Sequence, residues 1–256
     1  MKTLLLAGGF GTRLAELTEA IPKPMVPIGG KPILWHIMQY YAAFGHDEFV
    51  IALGYKSEAI KEFFLAMRSA GSDFTVQTQS GLIEVHASSA PNWKVTLVDT
   101  GSDSLTGERV ARVRDFIGDE TFFLTYGDGL SDVDLDHLLD FHRGHGKLLT
   151  MTAVRPPARF GELSIGANGL VESFVEKQHL NSGWINGGFF VVEPGFLDLI
   201  PRKNVMLERE PFEEATKIRE MIAYKHKGFW QCMDTKRDVD FLRTLWDGDD
   251  IPWVRD

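Results

Sequence analysis

The segment Leu6-Ala7-Gly8-Gly9-Phe10-Gly11-Thr12-Arg13 has the composition of an anion cradle. Glycines let the backbone approach a flat base or a phosphate closely, and Thr12 and Arg13 add donors at the turn. The spacing is not that of a dinucleotide fingerprint, because counting from Gly9 and Gly11 the third glycine position holds Leu14. Nor is it a kinase-type phosphate loop, since no Gly-Lys-Ser/Thr closes it. A tight turn with a solvated arginine is the competing reading. Further on, Pro22, Pro24 and Pro27 restrict the backbone around Lys23, which predicts a stiff, extended segment offering a fixed point charge for phosphate. A lysine in a proline-rich connector is the plain alternative. Asp128 lies between two glycines after the apolar run 122–126, and Asp234 follows 229–233. Each could simply cap a turn or a helix. Two carboxylates converging on one cleft would bind Mg²⁺, which takes few protein oxygens and completes its shell with water and phosphate.

The 256-residue chain carries 27 lysines and arginines against 36 acidic residues, a net charge of −9. That balance lacks the basic excess of a sequence-independent nucleic-acid binder, so no nucleic-acid partner is expected. An acidic protein that handles anions needs a local basic pocket or a divalent metal. The single cysteine, Cys232, excludes a disulfide framework and a cysteine-built zinc site, and reads as a small apolar filler. Apolar runs such as 4–7 and 49–53 are too short to span a bilayer, so no membrane partner is expected. Gly8, Gly9, Gly11 and Arg13 cut short a start that imitates a signal peptide, so the first residues read as a strand and the protein as cytoplasmic. Asp132, Asp134 and Asp136 imitate a calcium loop, but His137 and Arg143 occupy positions where such a loop needs Gly and Glu; an acid-rich helix start fits better. His142 and His145 read as a surface pair lacking a third ligand, and His36, inside an apolar helix, as hydrogen-bonded packing.

The elements that must position these groups follow from apolar periodicity. It predicts strands at 2–7, 49–53, 74–79, 83–86, 93–98 and 121–126. It predicts helices at 32–44, from a Ser57 cap to Met67, from Thr106 or Gly107 through Ile117, and at 135–143 under an Asp134 cap. This alternation argues for a parallel or mixed sheet covered on both faces. After a strand at 148–154 the pattern turns β-rich: 163–165 and 170–175 flank Asn168-Gly169, a two-residue hairpin signal. Strands at 184–192, 223–226 and 229–233 and a helix at 211–221 follow, then a last helix through Trp246 behind a capping box of Thr235 and Asp238. No linker rich in Pro, Gly or Ser interrupts the chain, so one α/β core is expected rather than two free domains.

Leu-Ala-Gly-Gly-x-Gly-Thr-Arg followed by Pro-Lys-Pro-Met resembles the opening of the sugar-1-phosphate nucleotidylyltransferases. Lys31-Pro-Ile-Leu-Trp-His-Ile-Met, Trp93-Lys-Val-Thr-Leu-Val-Asp-Thr-Gly, Thr125-Tyr-Gly-Asp-Gly, Ile185-Asn-Gly-Gly-Phe-Phe-Val and Phe229-Trp-Gln-Cys-Met-Asp-Thr are similar to the glucose-1-phosphate cytidylyltransferase branch of that family. The stretch Val98-Asp99-Thr100-Gly101 and the following 102–109 discriminate most. The uridylyl- and thymidylyl-transferring branches carry instead a Gln-Pro-x-Gly-Leu-type segment for the base, absent here. The chain departs from the family pattern at Phe10, at Gln178 and in the connector 179–183.

The resemblance implies an α/β fold, a Rossmann-like mixed sheet of the nucleotidyltransferase type with a smaller β-rich sugar-facing part. It implies a single domain, 1–256, with 1–150 as nucleotide-binding half and 151–256 as sugar-phosphate-binding half. The implied reaction transfers a cytidylyl group from CTP to α-D-glucose 1-phosphate, giving CDP-glucose and pyrophosphate, the first step to CDP-linked deoxysugars of lipopolysaccharide O-antigen. Arg13, Lys23, Asp128 and Asp234 are the implied catalytic set, the cations on the triphosphate and the carboxylates on Mg²⁺. Leu6, Ala7, Gly8, Gly9, Gly11, Thr12, Ser104, Arg109 and Gly127 would join Arg13 and Lys23 around the nucleotide. Lys177 would bind the sugar phosphate and Glu176 the sugar hydroxyls, with Tyr126, Asn186, Gly187 and Trp230 beside them; a strand-end ion pair and a β-bulge are the alternatives at 176–177 and 185–188. A homo-oligomer, trimer or hexamer, is implied. The alternatives are another sugar 1-phosphate, UTP or dTTP as donor, a metal-dependent glycosyltransferase, whose Asp-x-Asp would stand where this chain has Gly-Asp-Gly, and a non-catalytic regulatory subunit.

Overall fold

Leu4, Leu5, Leu6 and Ala7 are all buried, so the strand they form needs apolar cover on both faces. The computed structural model, which describes residues 1–156, 162–165, 167, 169–175 and 183–255, provides it. The strands are β1 (Lys2–Ala7), β2 (Pro27–Ile28), β3 (Lys31–Pro32), β4 (Glu48–Leu53), β5 (Ser72–Gln77), β6 (Leu82–Ser88), β7 (Lys94–Asp99), β8 (Phe122–Tyr126), β9 (Gly129–Ser131), β10 (Leu149–Val154), β11 (Glu162–Ile165), β12 (Val171–Val175), β13 (Ile185–Val192), β14 (Met221–Lys225) and β15 (Trp230–Cys232). The helices are α1 (Ala15–Thr18), α2 (Ile33–Ala43), α3 (Ser57–Ala70), α4 (Thr106–Arg112), α5 (Arg114–Ile117), α6 (Leu135–His145), α7 (Glu210–Lys217) and α8 (Lys236–Trp246).

A seven-stranded sheet runs β14-β10-β13-β8-β1-β4-β7. β1 is parallel to β4 and β8, β4 to β7, and β10 to β14, while β13 runs antiparallel to β8 and β10. Alternate residues feed opposite faces. Leu5, Ile51 and Phe123 pack with Ile37 and Tyr41 of α2, Leu138 of α6 and Leu242 of α8. Leu4, Val50 and Leu124 pack with Val110 of α4 and Phe212 of α7. Each such side chain, fully buried, stabilises the fold by about 1.5–3 kcal/mol relative to exposure. Ala7 pairs with Leu53, Leu6 with Tyr126, and Leu53 with Asp99, so the loops after β1, β4, β7 and β8 open on one edge of the sheet. That edge, at the carboxyl ends of parallel strands, is where such sheets take ligands.

Four local expectations are corrected. Lys23–Met25 is a 3₁₀ turn rather than an extended stretch, closed by Met25 N–H to the Pro22 carbonyl at 2.8 Å; Pro24 early in the turn costs it no hydrogen bond. Ser57 is the first residue of α3, not its cap: Lys56, at φ 52°, makes the entry, and the Ser57 hydroxyl turns to Glu58. The helix expected through Ile117 breaks at Val113 into α4 and α5. The helix expected at 211–221 ends at Lys217, because Arg219 at φ 61° turns the chain and Met221 begins β14, pairing with Leu149. The hairpin predicted at 163–175 is present as antiparallel β11 and β12, with Gly169 at φ 81°; Asn168 lies outside the described residues.

Candidate active site

Asp128 and Asp234 lie far apart in sequence, and a short ribbon brings them together. Three residues of β9 pair with three of β15, Cys232 facing Gly129, and Met233 N–H donates to the Asp128 carbonyl at 2.8 Å. Asp234 then leads into the expected capping box: the Asp238 carboxylate accepts from the backbone N–H groups of Asp234 at 3.1 Å and Thr235 at 2.7 Å. Between the carboxylates sits Lys23, carried there by its 3₁₀ turn. Its Nζ is 2.5 Å from Asp128 Oδ2 and 2.6 Å from Asp234 Oδ1, and Arg13 reaches the other oxygen of Asp234 at 2.6 Å. Two cations and two carboxylates thus form one balanced cluster.

Burial alone would favour the neutral amine of Lys23, but the charges of Asp128 and Asp234 outweigh it and hold the ammonium pKa above its ordinary value. Burial, helped by Asp128, pushes the Cys232 thiol up, so it stays protonated. Among the described residues, Asp128, Cys232 and Asp234 offer ligand atoms within 4.8 Å of one another. Two carboxylates beside a protonated thiol suit a hard, oxygen-seeking cation such as Mg²⁺ rather than a thiophilic metal. Lys23 occupies the bridging position as a stand-in cation, so the donor set fits that ion.

Two cavities meet at this cluster, and Arg13, Tyr126, Asp128 and Asp234 line both. The smaller, about 460 Å³, has on its wall Leu6, Ala7, Gly8, Gly9, Gly11, Thr12, Lys23, Ser104, Arg109 and Gly127, every remaining residue expected around the nucleotide. The larger, about 900 Å³, has Asn186, Gly187 and Trp230 on its wall, Trp230 Nε1 donating to the Gly187 carbonyl at 2.7 Å. Glu176, Lys177 and Gln178 lie outside the described residues.

Arg109, expected at the nucleotide, lines the smaller cavity and is also bound to the loops around it. It is 3% exposed, and its guanidinium donates to the carbonyls of Gly8, Leu53, Gly101 and Ser102 and to Thr100 Oγ1. With both terminal nitrogens so engaged, it ties the glycine loop to the loop after β7. Ser104 likewise donates to the Thr100 carbonyl. Gly8 has to be glycine for this contact, because a Cβ there would stand 2.3 Å from the Arg109 guanidinium carbon. Cys232, expected as a small apolar filler, stands beside the two carboxylates. The expected surface pair at His142 and His145 is also corrected: His142 is 1% exposed, bonded to Thr150 at 2.8 Å and Glu193 at 3.0 Å, a structural network under α6. His36 is packing, as expected, with Nε2 2.8 Å from the Ile28 carbonyl. Asp134 caps α6, accepting from His137 N–H at 2.9 Å.

Sequence reasoning missed Glu208, on the smaller cavity, and Arg237 and Phe241 of α8, on the larger. The spacing of Arg237 and Phe241, one helical turn apart beyond Asp234, was an available signal; Glu208 had none, lying in an irregular stretch.

Residues 2–249 match the family model described as Nucleotidyl transferase. The chain is 48% identical over 254 residues to the glucose-1-phosphate cytidylyltransferase of Salmonella typhimurium, covering 99% of this chain and 98% of that one. It is 41% identical to a Bacillus subtilis protein named "Probable glucose-1-phosphate cytidylyltransferase", covering 99% of each. Among solved structures it is similar in fold to HddC from Yersinia pseudotuberculosis, at a TM-score of 0.71 and 23% identity, over 96% of this chain and 99% of that one. No helix among the described residues is long and apolar enough to cross a membrane.

Proposed function

The chain belongs to the nucleotidyl transferase family, and we propose that within it the protein transfers the cytidylyl group of CTP to α-D-glucose 1-phosphate, giving CDP-glucose and pyrophosphate. The observation that carries this is the cluster of Arg13, Lys23, Asp128 and Asp234 at the junction of two cavities, in a chain alike over its whole length to cytidylyltransferases. A phosphate monoester has a second pKa of about 6, so near neutrality the sugar phosphate is largely a dianion and already a nucleophile. One of its oxygens forms a bond to the α-phosphorus of CTP as the bond to the β-phosphate breaks, and pyrophosphate leaves with the electron pair. No proton needs moving, and no histidine lines either cavity among the described residues. Catalysis reduces to in-line positioning and charge neutralisation, each worth several kcal/mol of barrier.

In this reading Arg13 offsets the charge developing on pyrophosphate and Lys23, released from the carboxylates, orients the triphosphate. The glycine loop, with Thr12, Ser104 and Gly127, receives the nucleotide, and Arg109 braces the loops behind it. Lys177 aims the sugar phosphate and Glu176 takes sugar hydroxyls, while Tyr126, Asn186, Gly187 and Trp230 shape the sugar site. Mg²⁺, when held by Asp128 and Asp234, supplies charge neutralisation and a template for the phosphates. We assign residues 1–150 to the nucleotide half and 151–256 to the sugar-phosphate half of one domain. We further propose that the protein is cytoplasmic, acts on the way to CDP-linked deoxysugars, and is a homo-oligomer, trimer or hexamer. What supports assembly is the β5–β6 hairpin, which among the described residues pairs with no other strand and leaves Phe74, Val76, Ile83 and Val85 exposed.

The test is product identity. CTP with glucose 1-phosphate should yield CDP-glucose by mass, faster than galactose or mannose 1-phosphate yields its counterpart. A faster product from another sugar phosphate would keep the reaction and replace the sugar.

A further inference from the structure

Glu208 lies between β13 and α7 on the wall of the smaller cavity, and both of its carboxylate oxygens are engaged. Thr106 Oγ1, at the start of α4, donates to one at 2.6 Å, and the Tyr126 hydroxyl, at the end of β8, donates to the other at 2.7 Å. The chain around it is fastened to the same place. Leu207 N–H donates to Thr106 Oγ1 at 2.8 Å, Gly107 N–H to the Val205 carbonyl at 3.0 Å, and Leu105 N–H to Asn204 Oδ1 at 2.7 Å. A Cβ on Gly107 would stand 2.9 Å from the Val205 carbonyl, so this approach is built for glycine.

The contacts run on from Glu208 into the larger cavity. A carboxylate only accepts, so the single proton of the Tyr126 hydroxyl points at Glu208 and its lone pairs face the other way. There Asn186 Nδ2 donates to the Tyr126 oxygen at 3.0 Å, and Asn186 Oδ1 accepts from Gly188 N–H at 2.9 Å. Each bond fixes the polarity of the next. Were the Tyr126 proton turned to Asn186, the amide would have to flip, setting its NH₂ against the Gly188 N–H. We infer that Glu208 is a positioning residue which, through Tyr126, sets which way round the Asn186 amide faces the larger cavity, so that a residue on the nucleotide side fixes the donor pattern of the sugar side. The inference rests on the proposed function for the identity of the second substrate; the hydrogen-bond relay itself does not depend on it.

Glu208→Gln tests the polarity while keeping the shape. The new amide can still accept from Thr106, but its NH₂ then donates to the Tyr126 oxygen and competes with Asn186 for it. With full-length protein, CTP and Mg²⁺, the KM for glucose 1-phosphate is expected to rise about tenfold, the scale of one misoriented hydrogen bond, with the KM for CTP within about twofold. Tyr126→Phe removes the relay and should raise the same KM to a similar degree. Because the relay is then already broken, adding Glu208→Gln to Tyr126→Phe should change it by less than about twofold more. An unchanged KM in either single variant, or effects that multiply in the double one, overturns the relay. A readout without substrate separates this from the proposed function: the side-chain amide resonance of Asn186, assigned by its loss in Asn186→Asp, should move in both single variants. If it stays in place the relay is wrong even in an active enzyme. If it moves while no sugar phosphate reacts, the relay stands and the assigned reaction fails.

Discussion

Arg13 and Lys23 share Asp234 and differ in their surroundings. The Arg13 side chain is 74% exposed and that of Lys23 13% exposed. An exposed ion pair is worth about 0–1 kcal/mol, so Arg13 can leave Asp234 for a phosphate at little cost. Arg13→Ala should therefore lower turnover about 10²–10³-fold, the usual cost of losing one preorganised donor to developing charge, and spare the KM for glucose 1-phosphate. Steady-state pyrophosphate release reads both, and wild-type turnover would contradict the role. Lys23 is different, because it neutralises two half-buried carboxylates at once. Replacing it by methionine leaves Asp128 without its cation beside Asp234, which keeps only the exposed Arg13, so the metal-free variant should melt below wild type. Added Mg²⁺ should then raise the Tm of Lys23→Met more than that of the wild type. An equal rise in both would show that the two carboxylates do not hold the ion.

At the scale of elements, His36 fastens α2 to Ile28 of the neighbouring β2 and to the remote Trp253. Trp253 Nε1, which can only donate, points at His36 Nδ1 at 3.4 Å, while His36 Nε2 donates to the Ile28 carbonyl at 2.8 Å. That arrangement requires the neutral ring, since a second ring proton would face the Trp253 N–H. Burial holds the His36 pKa below its ordinary value against the pull of the Ile28 and Lys31 carbonyls. The folded state then binds fewer protons than the unfolded chain, so the contribution is present above the unfolded pKa of about 6.5 and is lost as pH falls through the folded value. The Tm should drop between pH 7 and pH 5, and His36→Gln should flatten that slope; the same slope in the variant would rule His36 out as its source. His36 was legible as packing because it sits inside an apolar helical period, as Asp134 was legible as a cap from the acids that follow it. The glycine loop and the Thr235–Asp238 box were legible because each is a local pattern. What escaped the sequence depends on contacts between remote segments: Arg109 facing backbone carbonyls, Glu208 meeting Tyr126, and His142 drawn under α6 by Thr150 and Glu193. The 3₁₀ turn at Lys23 was missed for another reason, since proline fits both a tight turn and an extended chain.

For the whole molecule, the sheet explains why residues so far apart in sequence act together. Parallel β1 and β8 end side by side, placing the glycine loop beside Asp128, and the β9–β15 ribbon adds Asp234 from the other half. Phe74 pairs with Val85 and Val76 with Ile83, so four exposed apolar side chains share one face of a two-stranded hairpin, a structure only marginally stable alone. A second copy of the chain covering that face predicts that Val76→Asp with Ile83→Glu dissociates the oligomer in sedimentation velocity without lowering the Tm of the core; an unchanged sedimentation coefficient would place the interface elsewhere. The donor nucleotide and its reaction are tested most directly by pyrophosphate release from purified protein with Mg²⁺ and glucose 1-phosphate, offering CTP, UTP, dTTP, ATP and GTP in turn. Release with CTP alone is the predicted result, and release with any of the others at a rate matching or exceeding CTP, or with none of the five, would contradict it.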